Sequence, residues 1–185
     1  MKKIFLIFIM ALGTVVSHAQ KLSVNTDLMM LATQTYNLGA EMTIGNRSTL
    51  GLTVFGNHNP YIHDNMKVVG VQPEYRYYFG GRPLYHHFVG AGLLIADYKV
   101  THKGVCYDGY ALGAGITFGY VFALSDKLAI DAHAGVGLVG TSHAKTRTDG
   151  QLIELNDGSG LTKDGFKSLH ILPTRIGVTL SYTIW

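Results

Sequence analysis

The sequence predicts an all-β protein, an eight-stranded antiparallel up-and-down transmembrane β-barrel of the outer-membrane type. Three observations predict it. The first is period-two alternation of apolar against small or polar side chains, clearest in the closing stretch. There Leu172, Thr174, Ile176, Val178, Leu180, Tyr182 and Ile184 fall on one face, and Arg175, Gly177, Thr179, Ser181 and Thr183 on the other. The second is the leader. Lys2 and Lys3 precede an apolar run from Ile4 to about Val16, then Ser17-His18-Ala19, the form of a secretory signal peptide. That run is shorter than the roughly 20 residues a membrane-spanning helix needs. The third is an expected rim asymmetry, short turns at one end of the barrel and longer loops at the other.

The expected domains are a signal peptide over 1–19 and a barrel over 20–185. The first strand is expected over Leu22–Ala32, with Ser23, Asn25 and Asp27 on its polar face. The second, Tyr36–Gly45, sets Leu38, Ala40, Met42 and Ile44 against Asn37, Gly39, Glu41 and Thr43. The third covers Thr49–Gly56. The fourth, Lys67–Phe79, sets Val69, Val71, Tyr75, Tyr77 and Phe79 against Gln72, Glu74 and Arg76, with Pro73 costing a ladder bond or marking a bulge.

The fifth strand, His86–Tyr98, is apolar on both faces; Val89, Ala91, Leu93 and Ile95 are expected outward, Gly90 and Gly92 inward. The stretch from Gly109 to Ser125 is uncharged, but its glycines, β-formers and alternation make it a strand rather than a helix. The seventh, Leu128–Val139, sets a small apolar face against Asp131, His133, Gly135 and Gly137. The strand that opens this section is the eighth. Tight turns are expected near Asn46, Arg82 and Asp126. Longer loops are expected after strands three, five and seven, the longest over 141–168.

This pattern is inside-out. The apolar faces are expected to meet lipid. An interior polar network of Asp27, Glu41, Gln72, Glu74, Arg76, Asp131, His133 and Arg175 is expected to fill the lumen, since eight strands leave room for side chains and little more. Arg76 is expected to pair with some of Glu41, Glu74 and Asp131, because an unpaired buried charge costs several kcal/mol, of order 3–5. A girdle of Tyr77, Phe79, Tyr120, Phe122, Tyr182 and Trp185 is expected at the short-turn rim, where amphipathic rings suit a membrane interface. The soluble alternative is a lipocalin-like barrel with the faces reversed and a greasy ligand cavity.

Loss of Lys2 and Lys3 with the leader takes the formal charge of +3 to +1, and no basic stripe suggests nucleic acid. Cys106 is the one cysteine, so neither an intrachain disulfide nor an N-terminal lipid-modified cysteine is expected; it reads as a loop-borne thiol near His102. His58, His63, His86, His87, His102, His133, His143 and His170 show no metal-binding spacing, although His58 and His63 share a loop. The segment Asn156-Asp157-Gly158 reads as a turn rather than a calcium loop. Ser142 and His143 are adjacent and so on opposite faces of a strand, which argues against a nucleophile and base. No catalytic residue, cofactor or metal is expected.

The runs VQPEYRYYF and GYALGAGITFGYVFALSDKLAIDAHAGVG, with the closing LPTRIGVTLSYTIW, resemble a family of small outer-membrane barrels classed as a domain of unknown function. The most specific pieces are Val71, Gln72, Pro73, Glu74, Arg76 and Tyr77, then Pro173, Thr174 and Arg175. The resemblance implies an outer-membrane location in a Gram-negative bacterium and a role beside surface-appendage (fimbrial) assembly, with no assigned catalytic residue. The expected function is a structural or surface-interaction barrel. Its partners would be outer-membrane lipid, the barrel-insertion machinery during biogenesis, and an extracellular ligand or surface protein met by the loop 141–168. A lipid-modifying enzyme and a narrow channel stay open as alternatives.

Overall fold

The structure, a computed structural model, describes residues 21–60, 65–102, 105–147, 152–155 and 169–184. Its elements are β1 (Leu22–Asp27), α1 (Leu28–Ala32), β2 (Tyr36–Thr43), β3 (Ser48–His58), β4 (Met66–Tyr78), β5 (His86–His102), β6 (Val105–Ala123), β7 (Leu128–Arg147), β8 (Leu152–Leu155) and β9 (Leu169–Thr183). Consecutive strands from β1 to β7 pair antiparallel, β7 pairs β9, and β9 returns to β1, so eight strands close an up-and-down barrel. The short β8 lies outside that ring, against Ala144–Thr146 of β7. The leader, Gln20, His63, Asn156-Asp157-Gly158 and Trp185 lie outside the described residues.

The burial pattern follows the alternation. Outward, Leu38, Leu52, Val69, Leu93, Leu112, Phe118, Leu138 and Ile176 are each at least half exposed. Inward lie two apolar clusters: Tyr78, Phe88 and Val121 toward the short-turn end, and Ala96, Ala111 and Val139 with Phe55 and Leu94 toward the other. The charged side chains sit between them.

Five expectations are corrected. The first strand stops at Asp27 because its carboxylate, bonded to the Met29 and Met30 amides at 2.8 and 3.1 Å, caps a short helix over Leu28–Ala32. Asn37 closes the strand end, its amide side chain exchanging hydrogen bonds with the Asp27 N–H and C=O as a strand neighbour would. The rim asymmetry is not one of loop length alone: the connection from β7 to β9 is the longest, but residues 103–104 alone separate β5 from β6, and the connection 79–85 is as long as 59–65. It is one of strand length. β5, β6 and β7 run 17, 19 and 20 residues, where β1, β2 and β3 run 6, 8 and 11. They therefore stand up from one rim as a sheet, which β8 joins. Consequently 141–147 is strand rather than loop, and so is Cys106, half-buried in β6 across from Thr101 and Thr146.

The last correction concerns faces. A bulge in β9 pairs Gly135 with Arg175 but Val136 with Pro173, leaving Thr174 as the extra residue. Thr174 turns inward with Arg175: its Oγ1 and Cγ2 lie 2.7 and 2.8 Å from where a Cβ would stand on Gly115 and Gly137. Alternation is reset beyond it. Leu172 pairs with the inward Gly137, and Ile171, 75 % exposed, pairs with the outward Leu138. Pro73, by contrast, interrupts the β4–β5 ladder without shifting it. The pairs Val71↔Ile95 and Glu74↔Gly92 keep one register across the gap.

Candidate functional site

The candidate site is the charged web inside the barrel, and its centre is Arg76. The residue is 4 % exposed and faces the lumen from β4. Its Nε donates to Glu74 Oε2 at 2.6 Å, and its Nη1 faces Asp131 Oδ2 at 3.0 Å and Glu41 Oε2 at 3.3 Å. The guanidinium also lies over the Phe88 ring, 4.4 Å from its centroid. One cation thus holds carboxylates from β2, β4 and β7.

The web extends in both directions. Glu74 Oε2 accepts a second bond, at 2.7 Å, from Nη1 of Arg175 in β9, whose Nη2 reaches Thr53 Oγ1 at 3.4 Å. Glu41 Oε1 accepts from the hydroxyls of Tyr78 and Thr49, at 2.7 and 2.5 Å. On the far side of Asp131, His133 presents Nδ1 to Asp131 Oδ1 at 2.7 Å and Nε2 to Asp27 Oδ2 at 3.5 Å. Both ring nitrogens therefore face carboxylates, Nδ1 within a hydrogen bond of Asp131 and Nε2 without one to Asp27. Gln72 donates through Nε2 to the bulged Thr174 carbonyl at 3.1 Å, tying β4 to the irregular part of β9.

All eight residues expected in the interior network face the lumen, and seven of them are buried: Asp27, Glu41, Gln72, Glu74, Arg76, Asp131 and His133. Arg175 is only slightly more exposed, at 9 % for its side chain. Sequence reasoning missed Tyr78, which is fully buried, along with Thr49 and Phe88. Tyr78 was reachable: it continues the phase of Glu74 and Arg76 along β4. A tyrosine among Tyr75, Tyr77 and Phe79 reads as rim aromatic unless the phase is followed to the last residue.

Of the expected girdle, Phe79, Phe122 and Tyr182 are 61, 52 and 48 % exposed at the short-turn ends of β4, β6 and β9. Tyr77 packs edge-on against Phe79 at 5.4 Å, and Tyr120 lies against Phe122 at 4.5 Å. Among the described residues no group of three or more His, Cys, Asp or Glu could hold a metal ion. Ser142 is buried in β7.

Chemically, the web is a cross-brace. It carries four carboxylates, two guanidinium groups and one imidazole, and it links β1, β2, β4, β7 and β9 across the lumen. Two cavities beside it, of about 20 and about 10 Å3, are on the scale of a single water. No curated protein and no solved structure matches the chain. One family does, that described as protein of unknown function (DUF3575), over residues 4–184, and the chain belongs to it.

Proposed function

We propose that this protein is an outer-membrane barrel with a filled lumen that serves as a structural or surface-interaction protein. The observation that carries the reading is the inversion of polarity. Charged side chains are 3–5 % exposed inside, while Leu38, Leu52, Leu93, Leu112 and Phe118 are 51–62 % exposed outside. In water an apolar belt of that extent would drive association. Against lipid it is the stabilising surface, and closure leaves no strand edge unpaired in the hydrocarbon. No described helix is long and apolar enough to cross a membrane.

The sheet of β5, β6, β7 and β8 rises from the rim opposite the short turns, and residues 148–168 connect from it. Function concentrates in such segments when a rigid scaffold holds them. We therefore place partner contact there, in line with the surface-appendage role that the family resemblance implies. The packed web around Arg76 supports this reading over a channel.

Two experiments test it. Outer-membrane fractions run unboiled and boiled on a denaturing gel should show a mobility shift. Recovery in the soluble periplasm with no shift would overturn the membrane reading. Deleting residues 146–163 should leave that shift intact and abolish capture of surface partners by the purified protein. Undiminished capture would remove this segment from the function.

A further inference from the structure

At the short-turn end the lumen opens into a vestibule of about 460 Å3. Its floor is apolar: Val121, 3 % exposed, with Leu84 and Ala129 packed on the Tyr78–Phe88 cluster. Its rim is cationic. Lys21, Arg82 and Lys127 line it, all exposed, with Asp126 as the one acidic side chain beside them. Asp131, at the inner end, is already committed to Arg76 and His133. None of the three cations is in an ion pair among the described residues. Like charges gathered around one opening repel one another unless an anion joins them.

The opening is built rather than incidental. The connection 79–85 does not turn tightly back. Leu84 and then His86 adopt left-handed φ of 58° and 59°, conformations uncommon for non-glycine residues. That backbone lays Leu84 across the mouth as the vestibule floor and sets Arg82 on its edge. The Arg82 guanidinium is fixed 4.2 Å above the Tyr85 ring, Tyr85 stacks on His86 at 3.7 Å, and His86 stacks on Tyr120 at 5.5 Å. An exposed arginine on a three-ring stack is an oriented charge, not a free one.

We propose that this vestibule is a docking pocket for an acidic, partly apolar segment of a polypeptide. Acidic side chains would meet Lys21, Arg82 and Lys127, and an apolar side chain between them would rest on Leu84, Val121 and Ala129. A polypeptide fits better than a lipid headgroup because the pocket reaches inward to the lumen-facing Val121, Asp131, Ser181 and Thr183. Its walls also include Leu124 and Leu128 at the β6–β7 connection. The proposal does not depend on where the protein resides.

The test uses the full chain in an uncharged detergent and a fluorescein-labelled Glu-Leu-Asp-Leu-Glu peptide, read by fluorescence anisotropy. Binding should saturate and weaken with salt. It should fall about tenfold in the combined Lys21→Gln, Arg82→Gln, Lys127→Gln variant, the sum of three modest surface attractions. Lys99→Gln, at the far end of β5, should leave it unchanged. These substitutions are exposed, and the gel shift on boiling reports an intact fold. Equal binding of Gln-Leu-Asn-Leu-Gln, no saturation, or full affinity in the triple variant would overturn the proposal. So would displacement of the peptide by phosphatidylglycerol vesicles but not by excess unlabelled peptide, since the pocket would then read a headgroup.

Discussion

The carboxylate of Asp27 occupies the space where a side chain on Gly177 would begin. The absence of a Cβ on β9 lets β1 end there and turn into α1. One Asp27 oxygen caps the helix amides, and the other faces His133 at 3.5 Å. A Gly177→Ala methyl would meet the carboxylate head-on and force it off one partner or both. We expect a loss of about 1–3 kcal/mol, measured by urea unfolding of the barrel refolded in lipid vesicles. Asp27→Asn, which retains a capping oxygen, should cost less. Wild-type stability in Gly177→Ala would mean that this contact does not constrain the fold.

Removing Arg76 should do more damage than removing any of its partners. Arg76→Met leaves Glu41 and Asp131 buried without a guanidinium, and an uncompensated buried charge costs about 3–5 kcal/mol. Adding Glu41→Gln and Asp131→Asn should recover much of the loss, since Glu74 keeps Arg175. The same proteins in planar bilayers should carry no current. Current in Arg76→Met at undiminished stability would instead make the web a gate.

Tyr78→Phe tests a smaller element. It deletes one of two hydroxyl donors to Glu41 Oε1 while preserving the packing on Phe88. The cost should be about 1–3 kcal/mol, because Thr49 still satisfies that oxygen in part. Tyr78→Phe combined with Thr49→Val should lose more than the two single losses added, and strict additivity would show that the donors act independently.

The sequence displayed the barrel and the charged lumen because both rest on alternation, which survives without tertiary context. Glu74 and Arg76 are two residues apart on one strand and had to share a face. What alternation hides is its own interruption. Thr174 reads as outward until the β9 bulge resets the phase, and nothing local marks that bulge except the neighbouring Pro173. The capped helix at Asp27 was concealed for a similar reason: Leu28, Met29 and Leu31 continue an apolar run, and the cap became evident only from the Met29 and Met30 amides. The heights of β5, β6 and β7 went unread because residues 97–108 mix charge with apolar side chains, as loops also do.

The outward face is where the membrane reading can be decided on the folded protein. Leu112 and Ile116 point away from the lumen on β6, 51 and 48 % exposed, well inside that strand's ends. Arginine at either position would place a charge near the middle of the hydrocarbon, which costs a barrel about 2–4 kcal/mol at the bilayer midplane and little near the interface. On a water-facing surface the same change would fall within about 0.5 kcal/mol. Lys99, paired with Asp108 at 3.1 Å where both are more than half exposed, supplies the contrast. Its replacement by alanine should leave stability nearly unchanged. Unfolding in vesicles should therefore rank Leu112→Arg and Ile116→Arg far below Lys99→Ala. Equal stability across the three would mean that water, not lipid, covers the belt.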